Sequence, residues 1–311
     1  MTHQWVPSSP CGISCVQQAA EAGIVRLVVR ILGLTVLLAA YPFAHVLTPA
    51  KRRQHVQRRF AHMVLRCCGL RLRVVDLRDG TAAGTRGADT GFPDDRAEKS
   101  APNARYAEPG NGTLVVAGHI GWTDIVALAA VQPLGFVARA DLIDWPILGT
   151  LARLLRVVPL NRENLRDLPR VVDQVAARLA SGERIGVFPE GTTWCGRAYG
   201  RLRPAFFQAA IDSAIPVQPV RLRYLDRNGN CSTIPGFVGD DTFTGSALRV
   251  LRSRGITAEV TLAPVEQPGS NRRDLALRCE RSVRATDLSA DAHAVLAAAT
   301  EHLNHGVVQH R

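Results

Sequence analysis

A histidine and an aspartate follow an apolar segment at residues 114–117, and the two lie five positions apart as His119 and Asp124. The pattern predicts a strand whose carboxyl end presents His119, with Asp124 in the first turn of the next helix. Such a turn brings the carboxylate to one imidazole nitrogen and leaves the other facing a cleft. Because no Gly-x-Ser-x-Gly sequence supplies a nucleophile, the pair predicts a general base acting on a bound hydroxyl or water. Local backbone capping is the alternative interpretation.

A second polar turn, Phe-Pro-Glu-Gly-Thr-Thr, occupies residues 188–193 after another candidate strand. Pro189 and Gly191 predict a tight turn that presents Glu190, Thr192 and backbone N–H groups. Such a turn can bind a polar headgroup or a phosphate. A turn without a binding role is the alternative.

Three further features lie near these turns. Arg162 follows a candidate strand at residues 157–160, and its guanidinium suits a phosphate or a carboxylate. The segment 215–220 contains two prolines and no titratable group, so we expect it to shape a pocket wall. Cys195 follows the second turn and offers a covalent route, although no histidine neighbours it in the sequence.

The elements that position these residues alternate between strands and helices. Candidate strands are residues 70–77, 113–117, 135–138, 157–160, 184–188, 217–225 and 257–262, and candidate helices are 123–130, 147–155, 168–180, 204–213 and 290–305. This alternation predicts an α/β fold with a mostly parallel sheet flanked by helices. Ligands bind at the carboxyl ends of the strands in such sheets, so we expect the polar turns to meet there.

The chain divides into three predicted regions. Residues 1–25 show no period and predict a loose tail, residues 26–69 predict two membrane-docking helices, and residues 70–311 form the α/β domain. Within that domain, residues 79–112 are rich in Gly, Ala, Asp, Thr and Pro and predict a flexible surface insertion.

The first docking helix is predicted from residues 31–47, which contain no Asp, Glu, Lys or Arg. A helix of that length is about 25 Å long, shorter than a bilayer core of about 30 Å, and Pro42 should kink it. We therefore expect a segment that enters one leaflet and returns, in a monotopic protein. A buried soluble helix and a signal peptide are the alternatives.

The second docking helix is predicted between Thr48, as its N-cap, and Gly69. Its apolar residues fall on one face and its basic residues mostly elsewhere, which is typical of a helix in a membrane interface. The apolar set is Val56, Phe60, Met63, Val64 and Cys67, and the basic set is Lys51, Arg52, Arg58, Arg59 and Arg66. Packing of this helix on a domain is the alternative.

The overall charge indicates an anionic partner. The 311 residues include 38 Lys and Arg against 27 Asp and Glu, a net charge of +11, which fits an acidic membrane face or a phosphorylated ligand. Aromatic residues make up 5% of the chain and no RNP-like, helix-turn-helix or zinc-finger motif occurs, so we expect no nucleic-acid partner. Seven cysteines without zinc-ligand spacing predict reduced thiols in a cytoplasmic setting and no metal.

The His-x4-Asp turn, the Arg-ended strand, the Phe-Pro-Glu-Gly turn and the proline-containing strand occur in this order. Over roughly residues 26–262 the chain resembles the glycerolipid acyltransferase superfamily of the 1-acylglycerol-3-phosphate acyltransferase type. The resemblance implies transfer of a fatty acyl group from acyl-CoA or acyl-carrier protein to a lysolipid hydroxyl, without a cofactor, at the cytoplasmic face of the cell membrane. It makes His119 the base and Asp124 its partner, and it assigns acceptor binding to Arg162, Glu190, Gly191 and Thr192.

Three residues depart from the family pattern. Gly118 stands where Asn is frequent, Arg139 where Lys is common, and Thr193 where an Arg usually follows the turn. With Thr193, the turn resembles that of the lyso-ornithine-lipid acyltransferase branch. Lyso-ornithine lipid is therefore an alternative acceptor. A lipid hydrolase that uses the same base on water, and an inactive membrane scaffold, are alternatives from other functional classes.

Overall fold

The computed structural model describes residues 9–18, 22–78, 100–140, 149, 155–161, 164–284 and 288–289. Its helices are α1 (Ile24–Leu47), α2 (Ala50–Cys67), α3 (Thr123–Val131), α4 (Leu168–Ala180), α5 (Phe207–Asp212), α6 (Phe243–Arg252) and α7 (Arg272–Arg284). Its strands are β1 (Leu70–Asp76), β2 (Thr113–Ala117), β3 (Gly135–Arg139), β4 (Val158–Leu160), β5 (Arg184–Val187), β6 (Ala198–Tyr199), β7 (Val217–Leu225), β8 (Ile256–Leu262) and β9 (Leu288–Ser289).

Seven strands form one sheet in the order β1-β8-β7-β2-β5-β3-β4, and β6 pairs with β9 separately. Within the large sheet, β7 and β8 are antiparallel and the other neighbours are parallel. The central strand β2 is buried along its whole length, as expected for a parallel strand covered by helices on both faces. The predicted α/β fold class is confirmed.

The core lies on both faces of this sheet. One face packs against α2 and α3 and includes Leu65 and Leu128, whereas the other packs against α4, α5 and α7 and includes Leu179 and Phe207. Helices α6 and α7 were missed by the sequence analysis, because their apolar positions are few among charged and polar ones. The predicted helix at 290–305, and all of the one at 147–155 except residues 149 and 155, lie outside the described residues.

Two segments differ from the loose structure expected of them. In the predicted tail, Cys11 is buried and Gln17 exchanges hydrogen bonds with Thr233 at 2.8 and 3.1 Å. In the predicted insertion, the buried Tyr106 donates its hydroxyl to the Leu128 carbonyl at 2.9 Å. Residues 9–18 and 100–112 are therefore anchored to the domain at these contacts, while most of their side chains are exposed or partly exposed. Residues 79–99 lie outside the described residues.

Helix α1 is longer than the sequence predicted. It spans 24 residues, continues through Pro42, and is long and apolar enough to cross a membrane. Its Arg30 is turned back to the domain, where the guanidinium donates to the Leu251 and Ser253 carbonyls at 2.6 and 2.8 Å. These carbonyls end α6, and a cation at a helix C-terminus is favourable, so Arg30 fixes α1 to the domain.

Helix α2 packs on the domain through Ala61, Val64 and Leu65, so only one residue of the predicted membrane-facing set is buried. Val64 is buried, Phe60 stacks on Tyr41 of α1 with ring centroids 4.1 Å apart, and Arg58 donates to two domain carbonyls. Thr48 ends α1 and Pro49 takes the N-cap position of α2, so the predicted Thr48 cap is wrong. Most of the exposed apolar side chains of this region therefore belong to α1, and Met63 is the exposed large apolar residue of α2.

We predict that α1 binds the membrane through exposed residues such as Val29, Leu32 and Val36, which are 63%, 60% and 65% exposed and share one face. Replacing all three with Gln should move the protein from the membrane to the soluble fraction, because apolar burial contributes about 25 cal/mol per Å². Flotation with lipid vesicles measures this.

The matched control replaces the exposed Arg52 and Arg53 of α2 with Gln. It should weaken binding at low salt and leave binding at high salt unchanged, because only the charge contribution is screened. Wash-resistant binding by the α1 variant would contradict the assignment.

Candidate active site

Strand β2 lies between β5 and β7 and runs parallel to both. Parallel neighbours end at the same edge of a sheet, so the turn at residues 118–124 meets the turn at residues 188–193. The segment 215–220 instead enters β7 at the opposite edge, where Val217 pairs with Leu114. The structure therefore brings the two polar turns together and places the expected pocket-wall segment away from them.

The centre of this edge is a hydrogen bond between His119 Nδ1 and Asp124 Oδ2, 2.8 Å long. The carboxylate is fully buried, whereas the imidazole is 17% exposed. Oδ2 also accepts the backbone N–H groups of Ile120 and Gly121 at 2.6 and 2.9 Å. Because a carboxylate can only accept, it places the imidazole proton on Nδ1 and leaves Nε2 as the nitrogen that can take a proton from a ligand.

The second oxygen of this carboxylate is held by a residue that the sequence analysis missed. The Tyr224 hydroxyl donates to Asp124 Oδ1 at 2.8 Å and lies 2.6 Å from the Thr123 hydroxyl. Burial raises the pKa of Tyr224 well above its usual value, and the nearby Asp124 charge raises it further, so the phenol keeps its proton. Strand β7 extends past Val220, which pairs with the last residue of β2, so its final residues lie beside the turn that follows β2. This extra length of β7 is the sequence feature that could have indicated Tyr224.

Glu190 was predicted to bind the acceptor, and its carboxylate is engaged by backbone groups of the protein. Glu190 is buried, and its carboxylate accepts the backbone N–H of His119 at 2.7 Å and that of Gly200 at 3.1 Å. Burial raises the pKa of this carboxyl well above its usual value, although the two N–H donors and Arg284 oppose that shift. The two oxygens of Glu190 thus hold the backbone of His119 and Gly200, and acceptor binding by Glu190 stays a prediction.

Further contacts fix the histidine ring and backbone. The His119 ring stacks on Phe188 with centroids 4.1 Å apart, and its carbonyl accepts the Trp194 N–H at 2.7 Å. Phe188 belongs to the second turn, so that turn contacts the imidazole through the Phe188 ring and the His119 backbone through Glu190. Contacts from both turns limit the rotation of the ring, as a positioned base requires.

The remaining predicted residues lie in the same region or outside the described residues. Gly191 adopts φ 75°, a left-handed conformation that suits glycine, and Thr192 is partly exposed beside it. Thr193 donates its hydroxyl to the Phe237 carbonyl, so it ties the turn to a neighbouring loop. Arg139 is the exposed last residue of β3 and ends at the same edge. Arg162 lies outside the described residues.

The departure at Gly118 has a structural reason. A Cβ atom there would lie 2.8 Å from the buried Tyr199 ring. Tyr199 therefore occupies the space that a larger residue at position 118 would need. The family's frequent Asn cannot be accommodated without moving this ring.

Cys195 does not provide a nucleophile. Its side chain is fully buried, and both the Cys11 thiol and burial raise its pKa far above the usual range. A nucleophilic cysteine needs its thiolate form and access to the substrate, and Cys195 has neither. The fold and site therefore define an α/β protein with a partly exposed histidine, bound by a buried aspartate, at the carboxyl edge of its parallel strands.

Comparisons with known proteins give this class a family. The family model described as Acyltransferase matches residues 99–223. The chain is 32% identical over 177 residues to the 1-acyl-sn-glycerol-3-phosphate acyltransferase of Neisseria gonorrhoeae, covering 56% of this chain and 69% of the relative. It is also 32% identical to the lyso-ornithine lipid O-acyltransferase of Pseudomonas aeruginosa, covering 57% and 68%.

A solved structure agrees in fold. The 1-acyl-sn-glycerophosphate acyltransferase of Thermotoga maritima matches with a TM-score of 0.56, covering 83% of this chain and 93% of that chain at 18% identity. The chain belongs to the glycerolipid acyltransferase superfamily and is an acyltransferase. The apolar helix α1 and these lipid-modifying relatives indicate association with a membrane.

We predict that Glu190→Gln lowers kcat and leaves the acceptor KM nearly unchanged. Gln offers one acceptor oxygen in place of two, so either the His119 or the Gly200 N–H loses its partner, at a cost of about 1–3 kcal/mol. Displacement of His119 should lower kcat by about tenfold or more, as that cost implies. Steady-state kinetics with varied acceptor measures both constants, with Glu108→Gln on the exposed surface as the control. A rise in acceptor KM at constant kcat would restore the headgroup role.

Proposed function

We propose that this protein transfers a fatty acyl group from the thioester of acyl-CoA or acyl-carrier protein to the hydroxyl of a lysolipid, in phospholipid biosynthesis. The observation that carries the proposal is the imidazole of His119, which is bound at Nδ1 by the buried Asp124 and partly exposed at the sheet edge. The relatives' names support a lysolipid acceptor, and the apolar α1 supports a substrate that resides in a membrane.

The reaction follows from this geometry. Nε2 of His119 takes the proton of the acceptor hydroxyl while the hydroxyl oxygen attacks the carbonyl carbon of the thioester. The intermediate collapses with cleavage of the C–S bond, and the released thiolate takes the proton back from Nε2. Asp124 stabilises the imidazolium formed between these steps. Binding the two substrates side by side, with the hydroxyl aimed at the thioester, supplies much of the rate enhancement.

We propose 1-acylglycerol-3-phosphate as the acceptor. The exposed Arg197, Arg201 and Arg203 follow the second polar turn, and the backbone N–H of Arg203 donates to the Pro189 carbonyl at 3.0 Å. Guanidinium groups suit bidentate binding of a phosphate. This cluster can therefore replace the arginine that the family pattern has at the position of Thr193. Arg139 offers a further cation at the end of β3.

A second acceptor, lyso-ornithine lipid, is favoured by Thr193 itself. The hydroxyl is engaged with the Phe237 carbonyl, so this position supplies no cation for a phosphate. A headgroup without a glycerol phosphate would not need one. The relative from Pseudomonas aeruginosa carries that name at the same identity as the glycerophosphate-type relative.

We propose a monotopic arrangement at the cytoplasmic face of the membrane. Arg30 ties α1 back to the domain, and the exposed apolar side chains of α1 lie beside the exposed basic side chains of α2. An apolar surface flanked by cations suits insertion among anionic lipids. Acyl-CoA and acyl-carrier protein are cytoplasmic, so the donor would reach the sheet edge from that side.

His119→Ala should lower the rate of acyl transfer by about 10²–10⁴-fold, which is the usual contribution of a general base. Asp124→Asn should lower the rate less than His119→Ala, because the imidazole is still present and only the charge that orients it is lost. Transfer is measured in detergent with acyl-CoA and 1-acylglycerol-3-phosphate, and thermal unfolding confirms that the variants fold. Full transfer by His119→Ala would refute the mechanism. Release of free fatty acid without transfer by the wild type would indicate the hydrolase instead.

The acceptor is identified by competition between 1-acylglycerol-3-phosphate and lyso-ornithine lipid in one preparation, compared through kcat/KM. With the phosphate acceptor, Arg203→Gln should raise KM by about ten- to a hundredfold, as the loss of a charge-assisted bond of about 1.5–3 kcal/mol implies. Arg105→Gln, on an exposed surface, is the matched control. A clear preference for lyso-ornithine lipid would reverse the acceptor assignment and leave the base unaffected.

A further inference from the structure

Three cysteine thiols meet behind the catalytic turn, although they come from distant parts of the chain. The Sγ atoms of Cys11, Cys15 and Cys195 all lie within 4.8 Å of one another. Cys11 and Cys15 are in the N-terminal segment, whereas Cys195 follows the second polar turn. We propose that these three thiolates bind a Zn²⁺ ion.

The distances fit a tetrahedral zinc site. A Zn–S bond of about 2.3 Å separates two ligand sulfurs by about 3.8 Å, so movements of about 1 Å close this group around an ion. The 3₁₀ turn Ile13–Cys15 places the second cysteine near the first, since Cys15 N–H donates to the Gly12 carbonyl at 3.0 Å. A water molecule completes the tetrahedron on the partly exposed side of Cys15.

The Cys11 thiol and burial raise the pKa of Cys195, and burial raises the pKa of Cys15, so binding of Zn²⁺ must release the protons of these thiols. Backbone hydrogen bonds from Arg197 and Gly12 reach the sulfurs of Cys195 and Cys15. Such bonds orient metal ligands and offset their negative charge. Around them, Trp194, Ala198 and Val238 form a small apolar cluster that limits access of water. A disulfide would use two of the three thiols and leave the third without a role.

The position of the site gives the ion a structural task. Residues 9–18 contribute few apolar side chains to the core. The other contacts that hold this segment on the domain include the hydrogen bonds between Gln17 and Thr233. Cys195 follows Trp194, whose N–H donates to the His119 carbonyl. A metal bound here would hold the N-terminal segment against the loop that supports the catalytic histidine, and it takes no part in acyl transfer.

The test measures zinc in the full chain purified in detergent with a reductant and added zinc, after removal of loosely bound metal. We expect about one zinc per chain, the number that three thiolates and a water can bind. Cys195→Ala and Cys15→Ser should lose it. The matched controls, Cys279→Ala, which is equally buried, and Cys67→Ser, which is also partly exposed, should retain it.

A second measurement covers the case in which a cluster variant does not fold. Titration of the metal-free wild type with Co²⁺ should give a thiolate-to-cobalt charge-transfer band that saturates at one equivalent, and added Zn²⁺ should abolish it. Chelation should also speed hydrogen exchange of residues 9–18. A wild type that binds neither metal, zinc retained in the cluster variants, or a disulfide between Cys11 and Cys195 in the reduced preparation would overturn the assignment.

Discussion

The buried carboxylate of Asp124 is the interaction on which the active site depends. It is fully buried and accepts four hydrogen bonds, from the imidazole of His119, two backbone N–H groups of the same turn and the Tyr224 hydroxyl. A buried carboxylate is costly unless its oxygens are hydrogen-bonded, so these four donors stabilise the folded site. Strand β2, helix α3 and strand β7 must be in register for all of them to meet.

A second buried carboxylate, Glu190, lies on the other side of the catalytic turn. It binds the backbone of His119, whereas Asp124 binds the side chain, so position and orientation of the imidazole are fixed separately. Burial raises the pKa of Glu190, and the negative charge of Asp124 adds to that rise. The two turns that hold them are neighbours because β2 and β5 pair in parallel. The sheet topology thus converts two short motifs, separated by about seventy residues in the sequence, into one site.

Much of this architecture could be predicted from the sequence, because it rests on local patterns. Alternating apolar segments located β2, β5 and β7, and the family motifs located His119, Asp124 and Glu190. What the sequence could not indicate depends on contacts between distant residues. Tyr224 reaches Asp124 from a strand one hundred positions away, Glu190 turns inward rather than toward a ligand, and the three-cysteine cluster has no recognisable spacing. The amphipathic α2 was predicted to lie in the membrane because periodicity shows that a face is apolar, without showing what covers it.

The central claim is that Asp124 holds His119 with its proton on Nδ1 and leaves Nε2 as the base. Nitrogen NMR of protein labelled with ¹⁵N-histidine measures this directly, with the His119 signals assigned by their absence in His119→Gln. The account predicts that, at a pH where the ring is neutral, Nδ1 carries the proton and Nε2 does not. It also predicts that Asp124→Asn mixes or reverses the two forms. A neutral wild-type imidazole protonated on Nε2 would contradict the account.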